Sequence, residues 1–230
     1  MVRKLSCLLV LVFCTTGAAW GGDVASMVNL GFSEQSDSFA FAQYGIQEDT
    51  LLPYADMFIV DVERNRFVSD GVQSFVGNDI VAPGYDGASA LYSLLRAYKA
   101  ALEQNIIRST NTGRLIYVLM DGDDPREQLQ FRDFERNVTY GVHLVQSSQG
   151  ENADTESRFH LVVSMTKEDG TAQEFIVGAP EYDRKGVLRY RIHQVIVSPD
   201  EQSMIFVMEK EEYADSGVDI RYMVETTRLP

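Results

Sequence analysis

Carboxylates concentrate at one point of this 230-residue chain, in Asp121-Gly122-Asp123-Asp124-Pro125. Side-chain oxygens packed so closely can serve a hard divalent cation. Asp121, Asp123 and Asp124 are therefore candidate metal ligands, with Ca²⁺ as the candidate cofactor. The stretch lacks the full EF-hand pattern and its distal Glu. The competing reading is a polar turn in which Pro125 opens a short helix. His143, His160 and His193 are the only histidines, and no His-x-x-x-His or His-Glu-x-x-His spacing joins them. Each falls in a predicted strand, where a surface or structural role is expected. No nucleophile elbow, phosphate-binding Gly-rich loop or dinucleotide fingerprint occurs. No catalytic or cofactor-binding residue is assigned, and a Ser-His-Asp site would have to assemble from distant positions. A last candidate is Gly45-Ile-Gln-Glu-Asp-Thr-Leu-Leu-Pro-Tyr54, a loop too long for a tight turn. It either covers a sheet edge or serves recognition, since binding residues concentrate on such insertions.

The elements that position these residues are mostly strands. Short runs that alternate apolar and polar, or are continuously apolar, predict strands at 27–33, 38–44, 56–63, 115–120, 139–146, 157–166, 172–177, 188–198, 203–210 and 219–226. Lys167-Glu-Asp-Gly170 reads as a hairpin turn between two of them. One segment differs. From Asp86 to Asn105, the residues Ala88, Leu91, Leu94, Leu95, Tyr98, Ala101 and Leu102 follow helical spacing. Pro83-Gly84 breaks the chain just before it, and Asp86 suits an N-cap. Gln128–Arg136 is expected to form a second short helix. The polar stretch 146–156 reads as a long exposed connection.

The first residues have the layout of a secretory leader: basic Arg3-Lys4, an uncharged apolar run from Leu5 to Thr16, and small Gly17-Ala18-Ala19. Cleavage after Ala19 or Gly21 would place the mature N-terminus between Trp20 and Asp23. The apolar run is shorter than the ~20 residues of a spanning helix, and no second such run follows. Both cysteines, Cys7 and Cys14, fall inside the leader, so the processed chain has no disulfide, Cys nucleophile or Cys-based metal site. Leu11-Val12-Phe13-Cys14 partly resembles a lipobox, which would make Cys14 a lipid anchor, although Phe13 stands where a small residue is usual. The full chain has 20 basic and 34 acidic residues, a net charge of −14. Removing the leader takes away only positive charge. Such a surface repels phosphate backbones and anionic lipid, which argues against nucleic-acid binding. It suits simple solubility, or a meeting with cationic partners or divalent ions.

The two ends of the chain share a pattern. Phe32-Ser-Glu-Gln-Ser-Asp-Ser-Phe-Ala-Phe41 aligns without a gap on Val197-Ser-Pro-Asp-Glu-Gln-Ser-Met-Ile-Phe206. Each is an apolar-Ser strand end, a polar turn, then Ser and an apolar return strand. This hairpin resembles the repeat of TolB-type propellers, although two copies are fewer than a propeller needs. A longer likeness runs through Leu30-Gly-Phe-Ser33, Phe39-Ala-Phe41, Gln43-Tyr-Gly45, Pro53-Tyr-Ala-Asp56 and Ile59-Val-Asp61. With Ser198-Pro-Asp200 and Arg221-Tyr222, it resembles a bacterial family known as "predicted secreted protein", a domain of unknown function. The resemblance implies export and supplies no catalytic residues.

The expected architecture is a mainly β (α+β) protein of antiparallel sheets, with hairpins at both ends and one principal helix near 86–105. The expected organisation is a leader at 1–21 and one β-rich domain at 22–230, with Phe41 and Phe206 in a shared apolar interior. The expected location is secreted or periplasmic. The expected role is non-catalytic binding of an unknown protein or envelope component; the alternative is a secreted hydrolase.

Overall fold

The computed structural model describes residues 22–120 and 122–230. Residues 1–21, which include the expected leader with Cys7 and Cys14, and Asp121 lie outside the described residues.

The strand-like runs form three antiparallel sheets. The first is a meander of β1 (Ser26–Ser33), β2 (Ser38–Ile46), β3 (Pro53–Asp61) and β4 (Arg66–Val76). After β4 come α1 (Ala88–Ala97) and α2 (Lys99–Gln104), then the short β5 (Ile107–Arg108), which returns to pair with β1. The next strand, β6 (Arg114–Val118), leaves for another sheet. A second meander follows: β7 (Gln128–Asp133), β8 (Val138–Gln149), β9 (Glu156–Lys167) and β10 (Ala172–Val177), with β11 (Arg184–Lys185) pairing on β9. The last strands, β12 (Val187–Val197), β13 (Ser203–Ala214) and β14 (Gly217–Arg228), form a third sheet in the order β14-β13-β12-β6.

Strand periodicity explains how the sheets stack. Successive residues of a strand face opposite sides, so a run buried at every position must lie between two layers. Met204–Met208 in β13 is such a run. Met204, Phe206 and Met208 join Tyr140, Leu144, Phe159 and Leu161 of the second sheet in one core. Ile205 and Val207 join Phe32, Phe39 and Phe41 of the first sheet in another. The third sheet is thus the middle layer. The same logic applies to β2. Its Phe39 and Phe41 face the middle sheet, whereas Ala40 and Ala42, with Ala55, Met57 and Ile59, carry Ala90, Leu91 and Leu94 of α1. Small alanines on that face let the helix approach closely. The sheets form an open stack and no closed barrel. The likeness to propeller repeats is not borne out.

Several expectations change. Gln128–Arg136 is not a helix: Gln-Leu-Gln-Phe-Arg-Asp alternates with period two and forms β7 beside β8. The 146–156 connection is shorter than expected, because β8 and β9 continue pairing out to Gln149↔Glu156. Backbone ladders do not require apolar side chains. Strand β4 is absent from the sequence-based expectations because it is a mostly exposed edge with a mixed pattern. The helical segment breaks at Tyr98, and Leu94, not Leu95, is its fully buried leucine. Phe41 and Phe206 are both buried, but on opposite sides of the middle sheet.

The end hairpins do match in detail. Ser33 Oγ accepts from the Ser38 amide at 3.0 Å, and Ser198 Oγ accepts from the Ser203 amide at 2.9 Å. Three residues after each first serine, Ser36 and Glu201 take φ of 62° and 60°. The hydroxyl holds the strand ends together while the left-handed residue turns the chain.

Candidate functional site

The Gly45–Tyr54 loop is tightly built. The Gln47 amide donates to the Leu52 carbonyl at 2.9 Å, and the Leu51 amide donates to the Gln47 carbonyl at 2.8 Å. Leu51 sits at the tip with φ 55° and is half exposed. The segment after β4 is tied to this loop: the Gly77 amide donates to the Pro53 carbonyl and the Val81 amide to the Leu51 carbonyl. Gly87 then pins the start of α1. A Cβ there would lie 2.0 Å from the Gly45 carbonyl oxygen, so only glycine permits this approach. Asp86 is not the N-cap expected of it: Gly87 holds that position with no side-chain cap bond, and Asp86, one residue earlier, accepts from the Ala88 amide at 3.1 Å.

The first described residues meet β14 beneath the loop. Val24 bridges Ile220 of β14, and Asp23 is buried. Asp23 receives Arg221 on Oδ2 at 2.8 Å and the Tyr54 hydroxyl on Oδ1 at 3.1 Å. Arg221 also donates to Asp219 at 3.0 Å and lies 4.8 Å from the Tyr54 ring centre. Burial raises the Asp23 carboxyl above its usual range, and the Arg221 charge only partly offsets this. Burial likewise pushes the Tyr54 phenol up.

Three clefts surround the loop. One of about 280 Å³ lies between Gln47–Thr50 and the β13–β14 turn, over Asp219 and Arg221. A second, of about 390 Å³, runs from Asp23 past Glu48 and Leu51 to Asp86. A third, of about 530 Å³, lies between the Gly77–Asp86 segment and the first turns of α1. Their carboxylates are Asp23, Glu48, Asp49, Asp79, Asp86 and Asp219, and their one basic residue is Arg221. Arg221 is already committed to Asp23 and Asp219. The face therefore offers acceptors, negative charge and apolar contact.

The other sequence candidates lie elsewhere. Asp123 and Asp124 are exposed in the loop between β6 and β7, and the Asp123 amide donates to the Met120 carbonyl at 3.0 Å. His143 and His160 occupy outward positions of β8 and β9, between inward Val142, Leu144, Phe159 and Leu161. His193 is half-buried in β12, with its ring 5.0 Å from that of Tyr222. No histidine lines the three clefts.

One further motif is visible in the sequence once the structure points to it. Asp61-Val-Glu-Arg-Asn65 recurs as Asp133-Phe-Glu-Arg-Asn137. Both are hairpin turns, with Asn65 and Asn137 at φ 49° and 56°. Each fastens an outer sheet to the middle one. Asn65 accepts from the Thr226 amide at 2.9 Å and donates to Glu225. Asp133 receives Arg114 through two bonds of 2.6 and 3.0 Å, and Arg136 donates to the Glu201 carbonyl. These polar repeats act as clasps between layers.

The fold and this end face define a layered antiparallel β protein with an acidic, partly apolar rim. The chain belongs to the family described as "predicted secreted protein", domain of unknown function 2259, whose family model matches residues 40–228. That description agrees with a secreted or periplasmic location. No curated protein matches the chain significantly. Among the described residues, no helix is long and apolar enough to cross a membrane.

Proposed function

We propose that the protein is an exported, non-catalytic binding or envelope-associated protein that recognises its partner with the end face around Leu51. The observation that carries this reading is the ring of three clefts about one tightly bonded loop. A preformed loop loses little conformational freedom on binding. Leader cleavage after Ala19 or Gly21 accompanies this reading; among the described residues, Asp23 is the first hydrogen-bonded to β14. The test is photo-crosslinking in the native secreted or periplasmic fraction. A photoreactive residue at Leu51 is expected to give a discrete adduct, and one at Ile176, on the outer face of the second sheet, none. Equal labelling at both positions, or none at Leu51, would remove the proposal.

Asp121, Asp123 and Asp124 are proposed as a weak Ca²⁺ site, resting on the density of carboxylates in that turn. Calorimetric titration is expected to show binding that the triple Asn variant loses. No heat above dilution would leave only a turn.

A further inference from the structure

The largest of the three clefts has the chemistry of a peptide groove. Its floor is Phe75, Pro53 and Ala90, and its rim carries Ile80 and Tyr85. Ile80 is 68% exposed and Tyr85 75%, far more open than large apolar side chains usually are. The groove is held in shape by the Gly77 and Val81 amide bonds to the Leu51–Pro53 segment. Its only charged lining residues are Asp79 and Asp86, both acidic. The adjoining cleft adds Asp23 and Glu48. We infer that this groove binds a basic, apolar polypeptide segment, with an apolar side chain seated between Ile80 and Tyr85 and flanking lysine or arginine facing Asp79 and Asp86. This deepens the reading of the Leu51 face as the recognition surface, and rests on it.

Charge decides among the occupants. An anionic bilayer surface would meet these carboxylates and a chain of net charge −14. A second copy docking groove to groove would bring Asp79 and Asp86 against their own counterparts. A cationic segment gains from the same field, in both encounter rate and register. Apolar contact supplies the remaining attraction, because each aromatic or branched side chain removed from water contributes favourably in proportion to its area.

The test uses the processed protein and a short fluorescein-labelled peptide of alternating lysine and phenylalanine, followed by anisotropy. Binding is expected for this peptide and not for its glutamate-for-lysine counterpart. Ile80→Ser and Tyr85→Ser are each expected to weaken it by about tenfold. Asp79→Asn with Asp86→Asn is expected to weaken it severalfold at low salt and to flatten its salt dependence, because asparagine removes the charge yet keeps a side-chain oxygen for the Ala88 amide. Ile176→Ser on the second sheet is expected to leave it unchanged. Equal binding of the acidic peptide, or equal weakening by Ile176→Ser, would overturn the inference. So would a concentration-dependent dimer in sedimentation that Tyr85→Ser abolishes, or binding to phosphatidylglycerol vesicles that Tyr85→Ser abolishes. A Leu51 crosslink together with no binding of the lysine peptide would refute the groove chemistry alone. Loss of the crosslink as well would refute the recognition face itself.

Discussion

Phe41→Ala and Phe206→Ala are each expected to destabilise the protein by ~3–5 kcal/mol, the range for an aromatic removed from a packed core. Both rings are essentially inaccessible, at 1% and 0% exposure. Phe41 stacks on Phe58 with centroids 4.8 Å apart and faces the middle sheet from the first. Phe206 faces the second sheet from the middle one. The two substitutions therefore open cavities in different cores. Their common element is β13, whose Ile205 and Val207 serve the core that Phe41 occupies. If the chain from Gly22 to Pro230 is one cooperative domain, both variants lower the midpoint of one unfolding transition, measured by calorimetry and near-ultraviolet dichroism together. Two transitions, with Phe206→Ala moving one and Phe41→Ala the other, would divide the stack into two domains.

The second large effect is expected at the Arg114–Asp133 clasp. Arg114 on β6 makes two bonds to Asp133, whose side chain is fully inaccessible, and it also reaches Glu201 at 2.7 Å. Burial by itself would raise the Asp133 carboxyl. The bonds from Arg114 and from the Arg136 and Glu135 amides outweigh this and hold it below the usual carboxylate range. Arg114→Ala leaves that carboxylate buried with only its amide donors. The expected loss is about 2–3 kcal/mol at pH 7, below the usual cost of breaking a buried pair because Arg114 itself touches solvent. The sign of the pH dependence follows from the lowered value. The unfolded chain takes up the Asp133 proton first as pH falls below about 4, so the pair stabilises fully above that point and fades through the lower native value. Urea midpoints of wild type and Arg114→Ala should therefore differ by a constant amount from pH 7 to about 4 and draw closer as the pH is lowered further toward about 3. A difference that stays constant all the way down to about pH 3 would show that the loss comes from Arg114 packing.

The same clasp marks the limit of what the sequence makes legible. Asp-x-Glu-Arg-Asn at 61–65 and 133–137 is legible as a repeat, because identical turn chemistry needs identical residues. Its partners are not legible. Thr226 lies 161 residues from Asn65, and Glu201 lies 87 from Arg114. Nothing local records such a pairing. The same holds for the end face. The Gly45–Tyr54 loop stands out as an insertion. Asp23 and Arg221, which floor it, are 198 residues apart. The Gly77–Asp86 groove carries no motif, only side chains whose exposure follows from backbone bonds to Leu51 and Pro53.

Local chemistry determined what local chemistry can. Period-two alternation specified most of the strands, helical spacing and Pro83-Gly84 located the helix, and the Ser-turn-Ser signatures marked the hairpins. The leader pattern and the family likeness pointed to export. The tertiary structure decided which runs share a layer. Met204–Met208 had to be covered on both faces, since every position in it is apolar, but only stacking selected the covering sheets. It also decided that Phe41 and Phe206 serve different cores. Each of these outcomes rests on contacts between distant segments, whose register no local pattern encodes.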